Sequence, residues 1–200
     1  MIPYLQTTSF TCAASSLLTV MHNFNPKIEL NKENEFEIWR KTALLPTRAS
    51  SIFGLASLAK KIGLNFKVVV EKEEYDFPDY RFYRYKKTDI EHAKYLENYY
   101  LQKARKNEVN VEVKPINKED ILKELNESNY LILRVNVKPI RKLKKNTSNY
   151  IVVKGYKDNH FEIIDPRLGF LSIPETVFDE AFQTLETKKY RDSRMIVFKK

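Results

Sequence analysis

Apolar residues recur at intervals of three and four through the first third of the chain, then alternate with polar ones through much of the last third. This change of period constrains the fold more than any other feature. Leu17, Leu18, Met21 and Phe24 follow Cys12 at helical spacing, and Phe36, Trp39 and Ala43 mark one face of a helix predicted from Lys32 to Thr42. A third helix starts near Ser50-Ser51, runs through Ile52, Leu55, Leu58 and Ala59, and stops at Gly63 as a C-cap. Phe66 to Val70 reads as a strand. Thr88-Asp89-Ile90-Glu91 has capping-box spacing and opens a helix to Arg105. Val109, Val111 and Val113 alternate as in a half-buried strand, and a short amphipathic helix fits Asn117 to Glu127. Strands are predicted at Tyr130–Val137, Tyr150–Val153, His160–Ile164 and Arg194–Phe198, with a helix from Pro174 to Phe182 between the last two. Helices first and an antiparallel sheet afterwards is an α+β order. With 200 residues, no repeat and no Ser/Gly linker, residues 1–200 are expected to form a single domain.

The lone cysteine, Cys12, excludes an intrachain disulfide and a multi-thiolate zinc site, so any role it has is that of a free thiol in a reducing cytoplasm. No stretch approaches the roughly 18 apolar residues of a membrane span. No basic residue precedes the mildly apolar Thr8–Met21 segment, which argues against a signal peptide. The formal net charge is +9, from 35 Lys+Arg against 26 Asp+Glu. Such a surplus permits contact with nucleic acid or an anionic surface without requiring it.

Cys12 falls at the start of an apolar-faced helix, where the free N–H groups and the helix dipole favour a thiolate and are expected to lower its pKa. Gln6 lies six residues upstream and carries an amide able to donate to an oxyanion formed at the sulfur. A lone cysteine before a helix is equally what a small buried hydrophobe looks like. The run from Ser148 to Pro166 reads as two strands and a tight turn. With the turn centred on Lys157, Asn149 faces Asp165 at the open end and His160 faces Lys154 near the turn.

These residues carry a resemblance. Gln6, Cys12, Ser15 or Ser16, and Leu17 are similar to the Gln-(five residues)-Cys-Gly-Pro-Ala-Ser/Ala-Leu motif of the papain-like cysteine peptidases that process bacteriocin leaders at double-glycine sites. Tyr150, Ile151, Val152, Gly155, Tyr156, Asp165 and Pro166 resemble that family's second motif, His-aromatic-Val-Val-x-x-Gly-Tyr followed by a strand ending in Asp-Pro. Glu37-Ile38-Trp39-Arg40-Lys41 and Phe53-Gly54-Leu55-Ala56 resemble elements of a stand-alone subgroup. The resemblance implies a papain-like α+β fold, N-terminal helices packed on a C-terminal antiparallel sheet, and a peptide or protein substrate. It implies no metal and no cofactor. It makes Cys12 the nucleophile, Gln6 the oxyanion donor and Asp165 the group that orients the base. The base position is Asn149 rather than histidine, and Ala13-Ala14 stand where Gly-Pro is usual.

An asparagine amide cannot take and return a proton near neutral pH. His160 is five residues from Asp165, about 16 Å along a strand. His22 is ten residues along the helix from Cys12, about 15 Å. His92 sits in the middle helix. Three readings follow: a degenerate peptidase that keeps its cleft for peptide binding, an altered thiol hydrolase or acyltransferase, or a histidine replaced to trap a substrate. The basic run Arg141-Lys142-Leu143-Lys144-Lys145 is expected to overhang the cleft rim, with Arg141 and Lys142 drawing an acidic peptide or a C-terminal carboxylate. Tyr75, Tyr80, Phe82, Tyr83, Tyr85, Tyr95, Tyr99 and Tyr100, interleaved with Arg81, Arg84, Lys86 and Lys87, suit internal packing, a peptide groove or single-stranded nucleic acid. No recognised nucleic-acid motif supports the last, so a basic nucleic-acid-associated domain stands as a third class.

Overall fold

The computed structural model describes residues 1–74 and 85–199. Tyr75, Tyr80, Arg81, Phe82, Tyr83 and Arg84 of the aromatic-basic cluster therefore lie outside the described residues. The chain opens with α1 (Cys12–Phe24) and α2 (Lys32–Thr42). A small hairpin of β1 (Ala43–Leu44) and β2 (Ala49–Ser50) follows, then α3 (Ile52–Lys61) and β3 (Phe66–Val70). Next come α4 (Lys87–Lys106), β4 (Val111–Val113), α5 (Lys118–Asn126), β5 (Tyr130–Asn136) and the one-turn α6 (Lys138–Arg141). The end is β6 (Ser148–Lys157), β7 (His160–Asp165), β8 (Gly169–Pro174), α7 (Glu175–Thr187) and β9 (Arg194–Phe198).

Seven strands form one sheet in the order β4-β3-β9-β5-β6-β7-β8. The α+β class holds. Two details differ from expectation: β3 and β4 pair in parallel, making the sheet mixed, and helices cover both of its faces. Strict alternation along the strands explains the second point. Val68, Val70, Ile132, Val152 and Ile196 point to the side of α1–α4, with Leu17, Leu18 and Leu55 in the same core. Val69, Leu133, Ile151, Val153 and Val197 point the other way, toward α5 and α7, where Ile121, Phe178 and Ala181 close a second core. A strand buried on both faces reads as a continuous apolar run, which is why Tyr150–Val153 shows little alternation.

The first turns of α1 seat tightly on β6. Ala13, Ala14, Ser15 and Ser16 are all buried, and their small size lets the helix approach the sheet. Ser16 Oγ donates to the Tyr150 carbonyl at 3.3 Å and Ser15 Oγ to the Tyr4 carbonyl at 2.6 Å. Two further expectations are corrected. The capping box expected at Thr88 is reduced to one reach-back bond two residues earlier: Asp89 accepts from the Lys86 N–H at 2.9 Å, and Lys86 has no side-chain acceptor to complete the pair. β8 was not foreseen: it is a short strand that starts at Gly169 just after Asp165-Pro166 and exposes Phe170.

Candidate active site

The hairpin of β6 and β7 turns at Asp158-Asn159, both at positive φ (50° and 58°), the signature of a two-residue type I′ turn. Tyr156 pairs with Phe161 and Lys157 with His160. A bulge at Lys154 then shifts the register, so Val152 pairs with Ile164. The expected pairing of Asn149 with Asp165 is therefore two residues out, and His160 faces Lys157 rather than Lys154. Asn149 instead pairs with Val135 on β5. Because the pleat has period two, an even slip leaves Asn149 and Asp165 on one side of the hairpin.

What joins them is a residue expected elsewhere. Arg141, in the single turn of α6, does not overhang the cleft; its side chain is 6% exposed and its Nε donates to Asp165 Oδ2 at 2.8 Å. With its amide oriented to satisfy both ends, Asn149 accepts from Arg141 Nη1 at 2.7 Å and Nη2 at 3.1 Å and donates to the Ser148 carbonyl at 2.8 Å. Asp165 Oδ1 accepts the backbone N–H groups of Arg167 at 2.8 Å and Leu168 at 3.0 Å. Both carboxylate oxygens of the fully buried Asp165 are thus engaged. Lys142 ends α6 in the left-handed region and is exposed, outside the residues that line the Cys12 cleft.

Cys12 is the first residue of α1 and lines a cleft of about 430 Å³ with Phe10, Thr47, Ser50, Asn149 and Tyr150. Its thiol is not acidified as expected. Burial pushes its pKa up, and this outweighs the Tyr150 and Ala13 backbone amides and the Arg141 charge, which act in the opposite direction. Gln6 turns one amide hydrogen onto the Thr8 carbonyl at 2.5 Å, while its own N–H donates to the Pro166 carbonyl at 2.7 Å. That second bond ties the segment before Cys12 to the end of β7. No histidine lines the cleft among the described residues. His22 Nδ1 meets the Ile28 carbonyl at 2.8 Å, His160 Nδ1 meets the Asp158 carbonyl at 2.8 Å, and His92 is exposed on α4. A cavity of about 570 Å³ between α3 and α4 is lined by Lys41, Lys60, Lys61, Lys103 and the Ser57 hydroxyl, with no histidine or carboxylate among its described lining residues to activate that hydroxyl. Its lysines include those on the last turns of both helices, where they complement the carbonyl ends.

Sequence reasoning missed Glu35. It is fully buried and accepts from Thr7 N (2.9 Å), Thr7 Oγ1 (2.6 Å), Thr11 Oγ1 (2.5 Å) and Tyr4 Oη (3.1 Å). These bonds pin the segment from Tyr4 to Thr11 onto α2 and set the entry into α1. They also take the hydroxyl that Thr11 would otherwise use to cap α1. Burial and the Glu35 charge raise the Tyr4 phenol to about 12. The signal was an acid three residues before Ile38 and four before Trp39, on the apolar face of α2.

A family model matches residues 2–198. The chain belongs to the Peptidase_C39 like family. No match is found among curated proteins. Among solved structures, this Peptidase_C39 like chain is similar to a double glycine motif protease from an AMS/PCAT transporter, in complex with the leader peptide. The TM-score is 0.51 at 15% identity, over 100% of this chain and 93% of that one. At that identity the likeness is one of fold. No helix among the described residues is long and apolar enough to cross a membrane, and no cluster of His, Cys, Asp and Glu among them is placed to hold a metal.

Proposed function

We propose that this Peptidase_C39 like chain is a single-domain protein of a reducing cytoplasm, akin to the stand-alone subgroup, that binds peptides in the Cys12 cleft without turning them over. Asn149 stands at the position of the base. The observation that carries the reading is the Arg141 guanidinium held between Asn149 and Asp165. A cysteine peptidase needs a group beside the sulfur that takes a proton and gives it back to the leaving amine. Arginine stays charged at every accessible pH and does neither. Asp165, the candidate orienting group, spends both oxygens on Arg141 and on the Arg167 and Leu168 amides. Gln6, the candidate oxyanion donor, has a hydrogen committed to Thr8.

The test is hydrolysis alongside binding. The natural chain is expected to bind short peptides, by fluorescence anisotropy, and to cleave them no faster than the Cys12→Ala variant. Asn149→His alone is expected to stay inactive because Arg141 still occupies Asp165. Asn149→His combined with Arg141→Ala is expected to recover cleavage, since general acid–base help is worth about 10²–10⁴-fold. Cys12-dependent cleavage by the natural chain would sink the binding-only reading. It would favour the second one, an altered acyl-transfer enzyme, supported by the Tyr150 and Ala13 amides that bond the sulfur and by the Arg141 charge that favours the thiolate.

A further inference from the structure

Charge of one sign dominates the walls of the Cys12 cleft. Among the described residues they carry Arg48, Arg134, Lys145, Lys189, Arg191 and Arg194, against the carboxylate of Glu97. Glu97 pairs with Arg194, and Asp192 pairs with both Arg194 and Arg134, so two carboxylates balance those two cations deep in the cleft. Two cations stand toward the mouth. Arg48 is exposed on the turn joining β1 to β2, its guanidinium 5.4 Å from the Phe10 ring centroid, and Lys145 is exposed on the loop entering β6. Concave walls of one sign concentrate ligands of the other.

Polar atoms inside the cleft narrow the class of ligand. Ser50 Oγ and Glu97 Oε2 are buried, line the cleft and have no hydrogen-bond partner. Buried polar groups are nearly always satisfied, so two orphans in one cleft point to something that enters it. A carboxylate oxygen needs a donor. The N–H groups of a peptide main chain supply one; a phosphodiester backbone has none.

We propose that the cleft selects peptide segments rich in glutamate or aspartate, whose carboxylates meet Arg48 and Lys145 while main-chain N–H and C=O groups meet Glu97 Oε2 and Ser50 Oγ. This rests on the peptide-binding reading of the same cleft and names the class of peptide. The experiment compares two fluorescein-labelled peptides, identical except that one carries glutamates where the other carries glutamines. The glutamate peptide is expected to bind about tenfold more tightly at about 10 mM salt, with the ratio closing toward unity at about 1 M. In Arg48→Gln/Lys145→Gln, two exposed changes that leave the cores intact, the ratio is expected to fall to about twofold at low salt. Equal affinity for the two peptides, or a ratio indifferent to salt, overturns the selectivity and leaves peptide binding standing. Tighter binding of single-stranded DNA than of the glutamate peptide overturns it in favour of nucleic acid. Failure of both peptides to bind removes the peptide-binding reading and this inference together.

Discussion

At the scale of single residues, one side chain changes the chemistry of the site. A thiol–imidazole pair shares a mobile proton, whereas Cys12 sits near a guanidinium whose charge is fixed and already answered by Asp165. Arg141 favours the thiolate, but burial disfavours it more, so the thiol is the resting form at neutral pH. Labelling of Cys12 by iodoacetamide is therefore expected to have a midpoint above the ordinary cysteine value of about 8.5. A midpoint near 6 or 7 would show the sulfur activated after all. Because its pKa is raised on folding, thiol burial adds stability at neutral pH, and that contribution fades as pH climbs past the unfolded-state value.

At the scale of elements, local signals succeeded where the backbone itself enforces them. Gly63 follows α3 at φ 78°, and the Leu64 N–H reaches the Ala59 carbonyl at 3.1 Å while the Gly63 N–H reaches Lys60 at 3.0 Å, a Schellman ending. Nothing lies near where a Cβ would sit, so Gly63→Ala tests backbone conformation alone. It is expected to cost about 1 kcal/mol in urea unfolding; no change would mean that α3 ends some other way. The β6–β7 hairpin shows the opposite case. Alternation identified both strands, but the pairing was set by the Asp158-Asn159 turn and the Lys154 bulge, two features that a residue count placed on Lys157 could not anticipate.

At the scale of the whole molecule, α4, β5, the loop after α7 and β9 are tied together in the wall of the cleft by one buried ionic network. Arg194 is 1% exposed and pairs with Glu97 and Asp192, while Arg134 pairs with the same Asp192. Burial would raise the Asp192 carboxyl, but the two arginine charges overrule it and hold the pKa below the usual carboxylate range. Its contribution is present above about pH 4 and is lost as pH falls through the depressed folded-state value. Asp192→Asn leaves two guanidinium groups facing a neutral amide. It is expected to cost about 3–5 kcal/mol at pH 7 and to flatten the acid limb of the stability profile. A loss below about 1 kcal/mol, read by urea unfolding, would show that other contacts carry the network.

The sequence by itself determined the α+β class, most helices and strands, and the head-of-helix position of Cys12. Each is a matter of local period, capping or residue identity, legible without knowing what lies across the sheet. Tertiary structure alone decided that Arg141 turns inward to bridge Asn149 and Asp165, that Glu35 clamps the segment before Cys12, and that the thiol's pKa rises rather than falls. A charged side chain in a lysine-rich run reads as solvated until a buried carboxylate is brought to it. The pKa of a helix-head thiol depends on burial, and burial belongs to the packed molecule, not to the helix.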